Sequence, residues 1–397
     1  MRDFLKRTWA EIDLDALRHN CRTIRDAVKK DTEICWIVKA DGYGHGAVVV
    51  ARTLEEMGAK WFAVSNIEEA AQLRNGGIRG AMLILGYTPP TEAKNLSRMN
   101  ISQAVLSKEY AEELSACAVV AGVQVKVHLK VDTGMSRIGF LYQNTERDGG
   151  SIDEMEAVCK LPNLEHEGIF THFAVSDDGA NGSGYTREQF ACFMDATEKL
   201  KDRGITFRYR HAANSGTVCD YPEMHLDMVR PGIIIYGLQP SGVIRNKLPL
   251  RPVMELKTVI SMLKTVETNT TVSYGRVFTT SRRTLLATVP IGYADGYPRK
   301  LHDCADMLVN GHRARVSGRV CMDQLMLDVT DIPDVETGMT VTVFGKDGGE
   351  ILTVDELAEK NETINYEMVC IVGKRVPRIF LKNGKTVGSL NYICPTD

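Results

Sequence analysis

Short apolar runs alternate with amphipathic stretches through the first 240 residues. EICWIV (33–38) is apolar along its length, the mark of a strand buried on both faces, and residues 46–58 carry helical spacing up to Gly58. WFAVS (61–65) predicts a second strand; Asn66 then caps a helix with Glu68 and Glu69 in its first turn and Gly76-Gly77 at its stop. AMLILG (81–86), SQAVL (102–106), VQVKVHLKVD (123–132), EGIFTHF (167–173), FRYRHA (207–212) and MVRPGIIIYG (228–237) continue the series, with helical patterns such as 186–203 between them. Strands alternating with helices predict βαβ units and a parallel sheet. Eight such strands favour an α/β fold of the closed (β/α)8, TIM-type barrel over an open doubly wound sheet.

Beyond residue 245 the texture changes to β-branched segments such as VMELKTVISMLKTV, TLLATVPIGYA and MTVTVFG. Asn310-Gly311 between MLV and HRARVSG signals a two-residue hairpin, and TVDELAEK (353–360) is a single helical interruption. The reading is a barrel over 12–245 and a mainly β domain over 246–397, which residues 1–11 join through the strand-like RTWAEI.

Composition narrows the class without naming a partner. Hydrophobic residues make up 44% and charged residues 25% of 397, so the chain is neither disordered nor a coiled-coil rod. A net charge of -3 supplies no basic field for nucleic acid or anionic lipid. No signal-type apolar segment or bilayer-length run occurs, and the 10 cysteines are scattered without a C-x-x-C pair, which predicts a reduced, cytoplasmic protein off the membrane.

The chemistry gathers where predicted strands end. Lys39 closes the first strand in WIVKADGYGHG; a desolvated amine there is a Schiff-base nucleophile, whereas an isolated strand-end lysine snorkels to solvent. Gly42, Gly44 and Ala47 imitate a dinucleotide fingerprint, but Tyr43 and His45 crowd a pyrophosphate site and the β-rich second half does not suit a nicotinamide enzyme. His166, Glu167 and His172 are spaced too widely for a helical zinc pair, so no metal is predicted and His172 reads as a pocket or core histidine. Arg137 and Arg230 follow strands, where a guanidinium either grips a carboxylate or forms a surface salt bridge. Ser215, Gly232 and Ile233 lie on the last two strand loops, the usual phosphate site of a barrel. A strand-end amine with a phosphate cup suggests pyridoxal phosphate.

Together VKADGYGHG (38–46), KVDTGMSRIGF (130–140), THFA (171–174), AANS (212–215), MVRPGI (228–233), VSYG (272–275), IGYADGYPR (291–299), RVCMDQ (319–324) and NYE (365–367) resemble the alanine racemases, along essentially the whole chain and in family order. The resemblance implies pyridoxal 5'-phosphate bound through Lys39, with His172, Asn214 and Arg230 around the cofactor, Arg230 facing its pyridine nitrogen. Tyr43, Ser215, Gly232, Ile233 and Tyr366 would form the phosphate cup. Lys39 would serve the α-proton of D-alanine and Tyr274, from the other subunit of a homodimer, that of L-alanine. Arg137, Met322 and Asp323 would meet the substrate carboxylate, Lys130 would orient Arg137 and is carbamylated in many members, and Tyr293 would line the entrance. The implied role is supply of D-alanine for peptidoglycan.

Racemisation needs bases on opposite sides of a planar intermediate, and a lysine and a tyrosine need lowered pKa values to act near neutrality. The rival within the fold is a racemase of serine or of broad specificity; a bulky phenol at Tyr366 favours alanine. A decarboxylase would place a carboxylate where Arg230 stands. A non-catalytic cofactor carrier would lack the second domain with Tyr274.

Overall fold

The computed structural model describes residues 5–394. The chain divides into two compact units: Leu17–Gly42 with Ala47–Arg251 form one, and the chain before Leu17, Tyr43–Gly46 and the chain from Pro252 onward form the other.

Ten strands precede residue 240: β1 (Thr8–Asp13), β2 (Glu33–Ile37), β3 (Trp61–Val64), β4 (Ala81–Ile84), β5 (Ile101–Val105), β6 (Val125–Asp132), β7 (Phe140–Leu141), β8 (Leu164–Phe170), β9 (Tyr209–His211) and β10 (Met228–Val229). In the first unit the sheet runs β10-β2-β3-β4-β5-β6-β8-β9 with parallel pairing, and β7 lies beside β6. Its ends meet where the Asp227 amide donates to the Arg210 carbonyl at 3.2 Å and the Arg230 amide to the Ala213 carbonyl at 2.8 Å. Those two bonds close the predicted barrel. Helices such as Ala47–Glu56, Ile67–Asn75, Lys108–Ala121 and Ser183–Asp202 connect the strands, and Asn66 caps Ile67–Asn75 by accepting from the Glu69 amide, as predicted.

Three strand predictions need correction. MVRPGIIIYG is not one strand: only Met228–Val229 pairs, and Ile233–Tyr236 is a buried 3-10 turn ended by Gly237 at φ 84°. Pro231 has no amide to donate and Gly232 leaves the strand region (φ -122°, ψ -95°), so the isoleucines pack without joining a ladder. FRYRHA pairs over Tyr209–His211 alone. The strand expected at 167–173 covers Leu164–Phe170, so His172 stands in the loop beyond it.

The second unit is built on an 11-stranded sheet in which β1 pairs antiparallel with Met254–Val259 and parallel with Arg378–Lys382. The strand expected in RTWAEI therefore belongs here. Asp306–Val309 and His312–Val316 form the predicted hairpin, with Asn310 and Gly311 both at positive φ (49° and 75°). Tyr43–Gly46 is held in this unit by close approach: a Cβ on Gly44 would lie 2.3 Å from the Val369 carbonyl oxygen. The buried Arg378 guanidinium donates to the carbonyls of Gly44, Val372, Gly373 and Val376 at 2.5–2.8 Å. Replacing it strands four buried acceptors. Arg378→Met is expected to lower stability by about 3–5 kcal/mol, read as the shift in the urea unfolding midpoint at unchanged m-value.

Candidate active site

Lys39 sits two residues past β2, half-buried, where the backbone turns left-handed. Ala40, Asp41, Gly42 and Tyr43 take φ of 51°, 56°, 60° and 51° in succession. L-residues avoid this region, at about 1–2 kcal/mol each, so such a run persists only where its surroundings hold it. The Gly42 amide reaches back to the Val38 carbonyl at 2.9 Å, and Asp41 Oδ1 accepts from the Ala47 amide at 3.0 Å. Glu69 supplies the main brace: its two carboxylate oxygens accept from the amides of Ala40 and Ser65, each at 2.7 Å. Sequence reading gave Glu69 only the role of a first-turn helix acid, and no spacing rule marks it as the clamp of a turn 29 residues earlier.

Cations surround one neutral histidine in the same unit. Burial first, then the charges of Arg230, Arg137, Lys130 and Lys39, drive His172 well below its ordinary range. The Arg230 guanidinium is buried and works through its terminal nitrogens. Nη1 meets His211 Nδ1 at 2.9 Å, and Nη2 reaches the Thr171 carbonyl at 2.7 Å, the Ala212 carbonyl at 3.1 Å and His172 Nδ1 at 3.4 Å. Its Nε–H has no hydrogen-bond partner among the described residues. Burial brings the group down only to about 10, so it stays a cation at neutral pH.

Arg137 lies in a loop anchored by Asp132, whose Oδ1 accepts from the amides of Gly134 and Ser136 at 3.0 and 2.9 Å. It is exposed and forms no ion pair among the described residues. Lys130 is buried under this loop; a Cβ on Gly139 would touch the Lys130 carbonyl oxygen at 2.6 Å. Its amine donates to the Val131 carbonyl at 2.7 Å, and burial pulls its pKa down to about 7. Ser215 Oγ accepts from the Gly232 amide at 2.8 Å, which joins the two loops expected to cup phosphate, with Ile233 buried beside them. Asn214 lies beside Ser215 on the same loop. Its side-chain oxygen accepts from the Thr217 amide and hydroxyl and from Ser176, so it shapes the loop.

The second unit holds the remaining expected residues. Tyr43 is buried and lies 6.1 Å, ring to ring, from Tyr366. Tyr274 opens a short turn between Ser273 (φ 65°) and Gly275 (φ 71°), and Ser273 Oγ donates to the Arg319 carbonyl at 2.6 Å. Gly292 lets IGYADG press against CMDQ: the amides of Tyr293 and Ala294 donate to the carbonyls of Cys321 and Met322 at 3.1 and 3.0 Å. Asp295, fully buried and held by Arg7, accepts from the Gly292 amide at 3.1 Å, while Arg375 bonds Asp323 at 2.8 Å. Tyr274, Met322 and Tyr293 are thus fixed from behind yet exposed (66%, 53% and 43%).

These groups suit pyridoxal phosphate by their donor chemistry. Lys39 offers the amine, Ser215 a hydroxyl, and Arg230 a spare N–H that donates without giving up its proton. No cluster of three or more metal-ligating side chains occurs among the described residues, all ten cysteines are free, and no described helix is long and apolar enough to cross a membrane.

Comparison with known proteins gives one answer. Residues 12–240 match the model of the alanine racemase N-terminal domain and residues 253–380 that of the C-terminal domain. The chain is 44% identical over 391 residues to the alanine racemase of Clostridium tetani, covering 98% of this chain and 99% of that one. It is 47% identical over 386 residues to the alanine racemase of Desulfovibrio desulfuricans, covering 96% and 100%. The solved alanine racemase of Clostridium difficile 630 superposes with a TM-score of 0.93 at 38% identity, covering 99% of this chain and 100% of that one. That of Bacillus anthracis with bound L-Ala-P gives 0.91 at 36% identity, covering 99% of each chain.

Two outcomes test this geometry. Glu69→Ala leaves the Ala40 and Ser65 amides without their acceptor and is expected to cost about 1–3 kcal/mol in chemical denaturation. Lys130 titrates near 7 folded and at the ordinary 10.5 unfolded, so between those values the unfolded chain holds a proton that the folded chain has lost. Stability should therefore rise with pH across that window, by up to about 1.4 kcal/mol per unit, relative to Lys130→Met in carbonate-free buffer.

Proposed function

The chain belongs to the alanine racemase family and interconverts L- and D-alanine with pyridoxal phosphate; we propose how its own residues divide that work. The observation that carries the reading is the charge pattern around His172. Four basic side chains act on a histidine that stays neutral, and Arg230 keeps its Nε–H unspent. Such a pocket attracts the phosphate of the cofactor and the carboxylate of an amino acid together.

Pyridoxal phosphate, when bound, would supply an electron sink that makes the α-proton of an amino acid more acidic. Lys39 would hold the cofactor through its amine and would take or return the α-proton on the D side. Tyr274 of the partner subunit does the same on the L side. Arg230 would hold the cofactor's ring through its Nε–H, and Ser215, Gly232, Ile233, Tyr43 and Tyr366 would hold the phosphate. Arg137 binds the substrate carboxylate, with Met322 and Asp323 of the partner subunit beside it and Tyr293 at the entrance. His172, neutral beside Arg230, supports the tyrosine side.

Lys130 is read as the lysine that orients Arg137. As an ammonium it repels both Arg137 and Arg230, but a pKa near 7 leaves it substantially neutral and able to add carbon dioxide with loss of one proton. The resulting carbamate would accept hydrogen bonds from Arg137.

The homodimer is part of the proposal. The exposed Tyr274, Tyr293 and Met322, on turns and loops of the second unit, support a face that completes a second copy's site, which makes dimerisation a catalytic requirement. We place the enzyme in the cytoplasm, supplying D-alanine for peptidoglycan.

The test is L-alanine in deuterated water with added cofactor, followed by circular dichroism and α-proton loss together. Decay of ellipticity with deuterium incorporation supports the reading, and an intact optical signal with bound cofactor overturns it. Tyr274→Phe separates the two faces. It is expected to slow racemisation by about 10²–10⁴-fold while the α-proton of D-alanine still exchanges with solvent and that of L-alanine does not.

A further inference from the structure

Behind Arg230 a line of buried polar side chains leads away through the barrel. Arg230 Nη1 lies 2.9 Å from His211 Nδ1, and His211 Nε2 lies 2.8 Å from His128 Nδ1. His128 Nε2 has no hydrogen-bond partner among the described residues and faces Glu167 Oε2 at 3.6 Å. The same Glu167 oxygen accepts from the Ser102 hydroxyl at 2.9 Å.

The backbone is shaped to make this line. Pairing of β6 with β8 passes from Val127 opposite His166 to His128 opposite Gly168, so Glu167 is the extra residue of a β-bulge. Bulges re-aim side chains that regular alternation would point elsewhere. Gly168 is the companion feature: a Cβ there would lie 2.4 Å from His128 Nδ1, so the ring fits only over glycine. His128 stacks on Tyr209 and meets Trp61 edge-on, while His211 lies flat on Phe170 at 4.9 Å. Neither ring turns without breaking this packing.

The positions of the protons follow from one fact: a guanidinium only donates. His211 Nδ1 must therefore accept from Arg230, which puts its proton on Nε2. That N–H donates to His128 Nδ1, so the proton of His128 sits on Nε2 and points at Glu167. Adding a proton to either ring would set two N–H groups against each other. Burial, with the Arg230 charge behind it, drives His211 well below its ordinary range, and burial lowers His128 against the pull of Glu167. Burial would raise Glu167, but the facing His128, the hydrogen bond from Ser102 and the charge of Lys126 outweigh that and lower it.

We propose that Glu167, acting through His128 and His211, is a positioning residue of the reaction: it fixes one direction of hydrogen bonding along the line and so holds the guanidinium of Arg230 with Nε toward the cofactor. The proposal rests on the reading of Arg230 as the partner of the ring nitrogen. Its function is orientation, since no proton travels along a line whose first member cannot release one.

Nitrogen NMR of the histidine rings in the cofactor-free protein tests the direction itself. Both His128 and His211 are expected as neutral Nε2–H tautomers from pH 6 to 9; a cationic ring or an Nδ1–H tautomer at either position overturns the proposal. Glu167→Met removes the final acceptor and is expected to give mixed tautomers, a shifted absorption band of the bound cofactor and cofactor affinity weakened about tenfold, the effect of one lost hydrogen bond. Glu167→Gln, whose amide oxygen accepts the same proton, is expected to restore all three. Equal losses in both variants, or unmoved tautomers in Glu167→Met, reject the relay. Arg230→Met, measured alongside, separates the underlying reading: a cofactor band unmoved in that variant argues against Arg230 as its partner, whatever the tautomers report.

Discussion

A charge that cannot be discharged is buried in the barrel, and the polar core is arranged around it. Arg230 remains a cation at neutral pH even after burial, so each group it touches has to accept. Two carbonyls do this without adjustment. Two histidines do it only by staying neutral, and their burial beside a cation ensures that they do. Removing the guanidinium would leave these acceptors facing one another, which is why its position constrains β8, β9 and the loop beyond β8 together.

Lys39 depends on a second constraint, a backbone that is unfavourable on its own. Four successive left-handed residues after Lys39 would relax to extended chain in isolation. Glu69 and Asp41 hold them by accepting backbone amides, which places the brace on the following βα unit. A loop fixed in this way gives Lys39 a defined direction that a flexible glycine loop would not. The glycines act chiefly where backbones nearly touch, as at Gly44 against Val369 and Gly168 against His128.

The sequence makes some of this legible and leaves some hidden, for physical reasons. The barrel is readable because strands covered on both faces must be apolar along their length, and β3 is buried at every position. The Asn310-Gly311 hairpin is readable because few residue pairs accept two positive φ values. MVRPGIIIYG misleads because an apolar β-branched run satisfies a strand and a buried 3-10 turn equally; Pro231 decides between them. Lys39, Arg230 and Ser215 stand out as strand-end chemistry, and the resemblance to a family adds the roles. Glu69 reads only as a first-turn helix acid, and Glu167 only as a member of a zinc spacing that does not fit. Each is an acid in an ordinary position, and its importance comes from a long-range amide in one case and a one-residue shift of register in the other.

That register shift bears on how a buried cation is compensated. A carboxylate placed directly against Arg230 would satisfy it more strongly, but would cancel the positive field around His172. Setting the nearest carboxylate of this line beyond two neutral rings divides the tasks. His211 meets the hydrogen-bonding need of the guanidinium at contact distance, while the charge of Glu167 acts from farther away and leaves the field at the pocket largely intact. Two aromatic rings are suitable spacers because each passes hydrogen-bond polarity from one nitrogen to the other without itself becoming charged. The bulge that delivers Glu167 and the glycine that admits His128 therefore belong to the electrostatics of the pocket as much as to the packing of the barrel.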